Sequence, residues 1–230
     1  MSESAIRSSA ATWLGSHEEL AAEALIESLV GFEERYGGLS YSVLGNNKME
    51  YGLDSLPSIN CTPLGPAFTG ILDGDWTWGL DVLLDGGTAM GPGRWPYRVI
   101  DRTIDQRIER HALLVEVRGW FHRTFECTTP SYVPPMTDEE TLPPPVPDAT
   151  GPAEYWWSEQ DVAVQAQLSG WPIGRDRWTV RYFARTPQQA AEANHTIYAA
   201  AGHETVPATW CTLCTQAVVP GRTCLRGSHG

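Results

Sequence analysis

Three cysteines and a histidine stand within the last twenty residues of this 230-residue chain, in "WCTLCTQAVVPGRTCLRGSHG". Two residues separate Cys211 from Cys214, the spacing at which a tight turn aims two thiolates at one ion. Nine more lead to Cys224 and four more to His229. Three sulfurs and one nitrogen make a closed tetrahedral set, the pattern of one structural zinc rather than a catalytic metal. Free thiols and a disulfide are the competing readings. "RGSHG" also has the look of an appended tag, in which case His203 becomes the reserve ligand.

The other chemistry-bearing residues are set against their bland readings. "HETVPATWCTLC" has the residue types of a zinc deaminase but not the order: Glu204 directly follows His203, and Pro207 lies four residues before Cys211. Asp73, Asp75 and Asp81 begin like a calcium loop, yet Trp78 and Leu84 occupy the positions that need Gly and Glu. Phosphate-loop, nucleophile-elbow and zinc-protease motifs are missing, which argues against an enzyme. His111, His122 and His195 stand singly in helical context and read as partly exposed surface residues. The tryptophans of "YWW" (155–157) and "GDWTWG" (74–79) read as core, because Trp removes a large area from water.

These residues must be carried by a mixture of helices and strands, an α+β chain. A helix is expected over about residues 16–36, with Ser16 and Glu19 as a capping box. Leu25, Leu29, Phe32 and Tyr36 share one face, and Gly37-Gly38 stops the helix. "LSYSVL" and "KMEYGL" read as a hairpin or two short strands, residues 54–70 as loop, and "WTWGLDVLLDGG" as one or two strands between Asp-Gly turns. A second helix is expected over about 103–125, with Val115, Val117 and Trp120 leaving room for a strand. Residues 130–152 hold eight of the 17 prolines and no basic residue, the composition of an extended spacer. "DVAVQAQL" and "RWTVRYFAR" alternate as strands. "TPQQAAEANHTIYAAAG" reads as a helix capped by Thr186, boxed by Gln189 and stopped by Gly202. The expected organisation is an acidic α+β domain over 1–129, a Pro-rich acidic linker over 130–152, and a small strand-strand-helix module with the Cys/His tail over 153–230.

The front half resembles the SUKH superfamily of bacterial immunity and regulatory proteins over about residues 16–125. The resemblance rests on "LIESLVGFEERYGGLSYSVLGNNKMEYGL", where an amphipathic helix passes through Phe32 to Tyr36-Gly37-Gly38 and short strands, and on "WGLDVLLDGGTAM". It implies a non-catalytic domain that binds a protein in a cleft, commonly a nuclease toxin. Residues 130–230 have no counterpart in that single-domain pattern.

Charge agrees with such a partner. Residues 1–129 carry 18 acidic and 10 basic groups, a balance of −8 out of −12 for the chain. Nucleic-acid backbones and anionic membranes call for the opposite sign. A basic protein is attracted by an acidic surface that mimics phosphate. Asp54, Asp73, Asp75, Asp81 and Asp85, in or beside turns, are the candidate partner-binding acids. The opening residues have no signal-peptide run and no stretch is apolar for about 20 residues, so a cytoplasmic protein with reduced cysteines is expected. The rival reading is a zinc-dependent enzyme or nucleic-acid-associated module centred on 153–230.

Overall fold

The computed structural model describes residues 2–14, 19–43, 48–54, 58–73, 79–91, 95–136, 144–200, 209–210 and 217–218. It is an α+β protein. Two compact units are present: Met1–Arg118 with Pro147–Glu154 and Trp171–Ile173, and Gly119–Val146 with Tyr155–Gly170 and Gly174–Gly230. None of the described helices is long and apolar enough to cross a membrane.

The first unit opens with helices α1 (Glu3–Leu14) and α2 (Glu19–Tyr36). The expected apolar face of α2 is realised, with Leu25, Leu29 and Phe32 buried. The proposed Ser16 cap lies outside the described residues. Seven strands follow: β1 (Ser40–Ser42), β2 (Lys48–Tyr51), β3 (Ile59–Thr62), β4 (Gly65–Asp73), β5 (Leu80–Leu83), β6 (Thr88–Met90) and β7 (Arg98–Asp101). They form one antiparallel sheet in the order β1-β2-β4-β5-β6-β7. The nine-residue β4 pairs β3 along its first half and β2 along its second. Helix α3 (Ile104–Val117) closes this run.

Residues 54–70 are therefore not all loop, as their prolines and glycines suggested. The turn Thr62-Pro63-Leu64-Gly65 joins β3 to β4 as a hairpin, with Gly65 at φ 104° and the Thr62 hydroxyl donating to the Gly65 carbonyl at 2.8 Å. Gly70 has a packing reason: a Cβ there would meet the Phe32 ring at 2.7 Å, so its absence lets α2 lie on β4. Phe32 also meets Phe68 edge-on at 5.4 Å.

In the second unit β8 (Phe121–Pro130), β11 (Arg175–Ala184), β10 (Val162–Gly170) and β9 (Glu154–Glu159) form an antiparallel sheet in the order β8-β11-β10-β9. The α4 helix (Pro187–Ala200) follows β11. The alternation of β10 and β11 is as read, with Trp178, Val180 and Tyr182 all buried. The cap of α4 is also as read: Gln189 N–H donates to Thr186 Oγ1 at 3.2 Å, and Thr186 N–H to Gln189 Oε1 at 3.0 Å. "YWW" is core, with Trp156 stacked on Phe183 at 6.1 Å. A short hairpin of β12 (Thr209–Trp210) and β13 (Ala217–Val218) ends the described chain.

The second expected helix ends at Val117, and residues up to Phe125 and beyond belong to β8, because β-branched and aromatic residues at alternate positions take over after Gly119. The first segment of the first unit accordingly ends at Arg118 rather than at residue 129. Residues 130–152 are not one free spacer. Pro130 pairs with Arg175, Val146 N–H donates to the Trp156 carbonyl at 2.7 Å, and Pro147–Glu154 belongs to the first unit. Residues 137–143 lie outside the described part.

Gly38 sits at φ 82° just past α2, where its N–H donates to the Tyr51 carbonyl at 2.9 Å. A Cβ there meets nothing within 4 Å, so Gly38→Ala tests backbone strain alone. It is expected to lower stability by about 1 kcal/mol in urea unfolding. Gly37→Ala should cost more, since its Cβ would sit 2.3 Å from the Glu33 carbonyl oxygen.

Candidate functional site

The strongest concentration of charge in the first unit is internal. Asp101, the last residue of β7, is fully buried. Two residues later Thr103 caps α3 by accepting from Gln106 N–H at 3.1 Å. The short connection places Arg107 and Arg110, three apart on one helix face, over the Asp101 carboxylate. Arg107 Nη1 donates to Asp101 Oδ2 at 3.1 Å, and Arg107 Nη2 reaches Asp73 Oδ2 at the end of β4. Arg110 Nε lies 3.0 Å from Asp101 Oδ1, an ionic contact outside hydrogen-bond angles. Arg110 Nη1 donates to Glu154 Oε2, and the Thr88 hydroxyl to Asp101 Oδ2.

Burial alone would push the Asp101 carboxyl up, but Arg110, Arg107 and the Thr88 hydrogen bond bring it below the ordinary range. Burial likewise opposes the Arg110 charge, and Asp101 and Glu154 overcome it. Beside these cations His111 is 7% exposed. Its Nδ1 lies 2.9 Å from the Tyr41 hydroxyl, which lies 2.7 Å from that of Tyr51. The expectation of a surface histidine is corrected, because α3 turns positions 107, 110, 111 and 114 inward together. Burial, with Arg110 and Arg107 adding repulsion, drives the imidazole far below its usual range and keeps it neutral. Burial also raises the Tyr41 and Tyr51 phenols.

The acids singled out from the sequence are not equivalent. Asp73 is withdrawn from any external role, since its carboxylate is held by the buried Arg107 guanidinium. Asp81 is occupied by Asn60 Nδ2 and the Tyr97 hydroxyl, both at 2.7 Å. Asp85 is exposed and accepts from Gly87 N–H at 3.0 Å, as turn aspartates do, and Asp54 is exposed. Asp75 lies outside the described residues, as do Cys211, Cys214, Cys224, His229 and His203. Among the described residues no group of three His, Cys, Asp or Glu could hold a metal. His122 is exposed on β8, not on a helix, and the His195 side chain is not among those described.

Sequence reasoning missed Arg107, Arg110, Asp101 and Glu154. The apolar face read from the sequence, Ile104, Ile108, Ala112 and Val115, leaves both arginines outside it; the structure corrects that face, since Ala112 and Val115 are exposed while Arg107, Arg110, His111 and Leu114 are buried.

A groove of 460 Å³ lies beside the start of α3, walled by Asp105, Gln106 and Glu109 on one side and by the 3₁₀ turn Pro147–Ala149, with Asp148, on the other. Asp105 is engaged by Arg35 and by the Tyr36 hydroxyl at 2.8 Å. No family model, curated protein or solved structure significantly matches this chain.

Two outcomes follow from the buried net. Glu154→Gln leaves Arg110 short of a buried counter-charge and is expected to cost about 3 kcal/mol or more, measured by denaturant unfolding. The neutral His111 should make stability fall with acid. The unfolded imidazole takes a proton below about pH 6.5 and the folded one does not, so stability drops by about 1.4 kcal/mol per pH unit below that point. The Asp101 carboxyl acts only below about pH 4, in a separate window. His111→Gln should flatten the curve between pH 6.5 and 5.

Proposed function

We propose that the first unit is a SUKH-like, non-catalytic module of a cytoplasmic protein that binds and blocks a basic protein partner, of the kind represented by nuclease toxins. The observation that supports it is how charge is partitioned. The three segments of the first unit contain 19 acidic and 9 basic groups, a balance of −10, which leaves −2 for the second unit. Three of those nine bases, Arg98, Arg107 and Arg110, are buried, as are the Asp73, Asp101 and Glu154 side chains. The remaining 16 acids against 6 bases carry the whole imbalance. Such a field speeds encounter with a cationic surface and repels polyanions.

The test is isolation of the full chain with its partner from the source cell, followed by association kinetics with the purified partner. A stoichiometric basic protein whose association slows steeply with salt is the expected result. Asp54→Lys with Asp85→Lys should slow association about tenfold at low salt and leave folding unchanged. A neutral or acidic partner, or turnover of a small molecule, removes the reading.

A further inference from the structure

Strand β8 stands at one end of the second unit's sheet. It spans ten residues, and among the described residues β11 is its one strand partner. Backbone N–H and C=O groups along the other side of such a strand are a template for a further strand. Folds commonly guard a long edge with a bulge, a proline or a twist away from straight pairing. Here the register with β11 runs from Phe121 to Pro130 without a shift, and the proline stands only at its last position. His122, Thr124, Glu126 and Thr128 share one face of β8, and all four are exposed.

The order of these residues fits a second copy of the same strand. Two identical strands that pair antiparallel about a two-fold axis must set one residue opposite itself. Centred on Arg123 or on Glu126, such a pairing would put like charges face to face. Centred on Phe125, it would set His122 opposite Thr128 and leave Glu126 against Thr124. Centred on Thr124, it sets His122 of each copy opposite Glu126 of the other, so that a complementary pair forms twice. Arg123, whose guanidinium donates to its own strand's His122 carbonyl at 2.8 Å, then faces the aromatic Phe125 rather than another cation. Residues 121–127 pair throughout, and Pro130, which has no N–H to give, falls outside the ladder.

Charge favours this occupant over a segment of the basic partner. The strand offsets Glu126 with Arg123 and so has no net attraction for cations. The second unit holds only −2 of the chain's −12, so two copies meet there with little net repulsion. We infer that β8 pairs antiparallel with β8 of a second copy of this chain, about a two-fold axis at Thr124, joining two four-stranded sheets into one.

The experiment is sedimentation velocity of the full chain over a concentration series, with covalent trapping to fix the register. A reversible monomer–dimer equilibrium is expected. His122→Glu sets carboxylate against carboxylate twice and should weaken the dimer at least tenfold. Adding Glu126→Lys restores opposite signs and with them the dimer. Thr124→Cys should cross-link to its own copy under mild oxidation, because directly opposed Cα atoms lie about 4.5–5.5 Å apart and a disulfide spans that distance. Thr128→Cys, on the same exposed face but opposite Trp120 in this register and far from its own copy, should not. Peptide mapping separates these links from those of the native cysteines. If the charge variants misfold, the two cysteine variants decide the matter alone. A chain that stays monomeric at every concentration, a double variant no better than His122→Glu, or equal trapping at Thr124 and Thr128 overturns the inference. So does a β8 edge taken up by the basic partner in place of a second copy.

Discussion

The Asp101 carboxylate, fully buried and shared by two guanidinium groups, is the interaction on which the first unit depends. One acid inside a fold must be matched or it will not ionise, and matching it here drew in Arg107 and Arg110. Two arginines then needed more than one acid. Asp73 at the end of β4 and Glu154 from far along the chain supply the remainder. Every member therefore constrains another, and the net fixes the position of α3 relative to β4, β6 and β7. A purely apolar interior of the same volume could be equally stable. What the charges add is mutual dependence, since removing any one partner leaves another buried charge unmatched.

That logic also explains the path of the chain. Pro147–Glu154 and Trp171–Ile173 are integral parts of the first unit although β8 precedes the one and most of β9 and all of β10 separate it from the other. Glu154 is held by Arg110. Trp171, 1% exposed, donates from Nε1 to the Pro96 carbonyl at 2.6 Å and packs on Trp95. A polar anchor and an apolar anchor thus hold two short segments that have little helical or strand character of their own.

Much of the local structure was legible in the residues. The apolar face of α2, the Gly38 stop, the alternation of β10 and β11 and the Thr186-Gln189 box each follow from short-range rules, and each is found. The β3–β4 hairpin was hidden because Pro63 and Gly65, which read as loop, occupy only its turn. The buried net was hidden for a different reason. Arg107 and Arg110 look like surface residues of an amphipathic helix, and nothing local says that Asp73 and Glu154 will be waiting for them. Reading 130–152 as a spacer failed at its far end on the same ground, for the segment Pro147–Glu154 packs in the first unit and its Glu154 is held by Arg110, 44 residues away in sequence. The acids beside turns were easy to see, and only their contacts divide Asp73 and Asp81 from Asp54 and Asp85.

The late arrival of Glu154 and Trp171 bears on how the protein is born. A ribosome adds roughly 5–20 residues each second, so the stretch from Arg118 to Trp171 takes about 3–10 s to make. Until residue 154 is made the nascent first unit holds Arg110 without Glu154, and until residue 171 is made the Pro96 carbonyl is without its indole. Folding of this unit during translation must wait for segments encoded after most of β8 and β10, and by then much of the second unit has also emerged. Truncation anywhere between residues 118 and 146 would strip the first unit of both anchors.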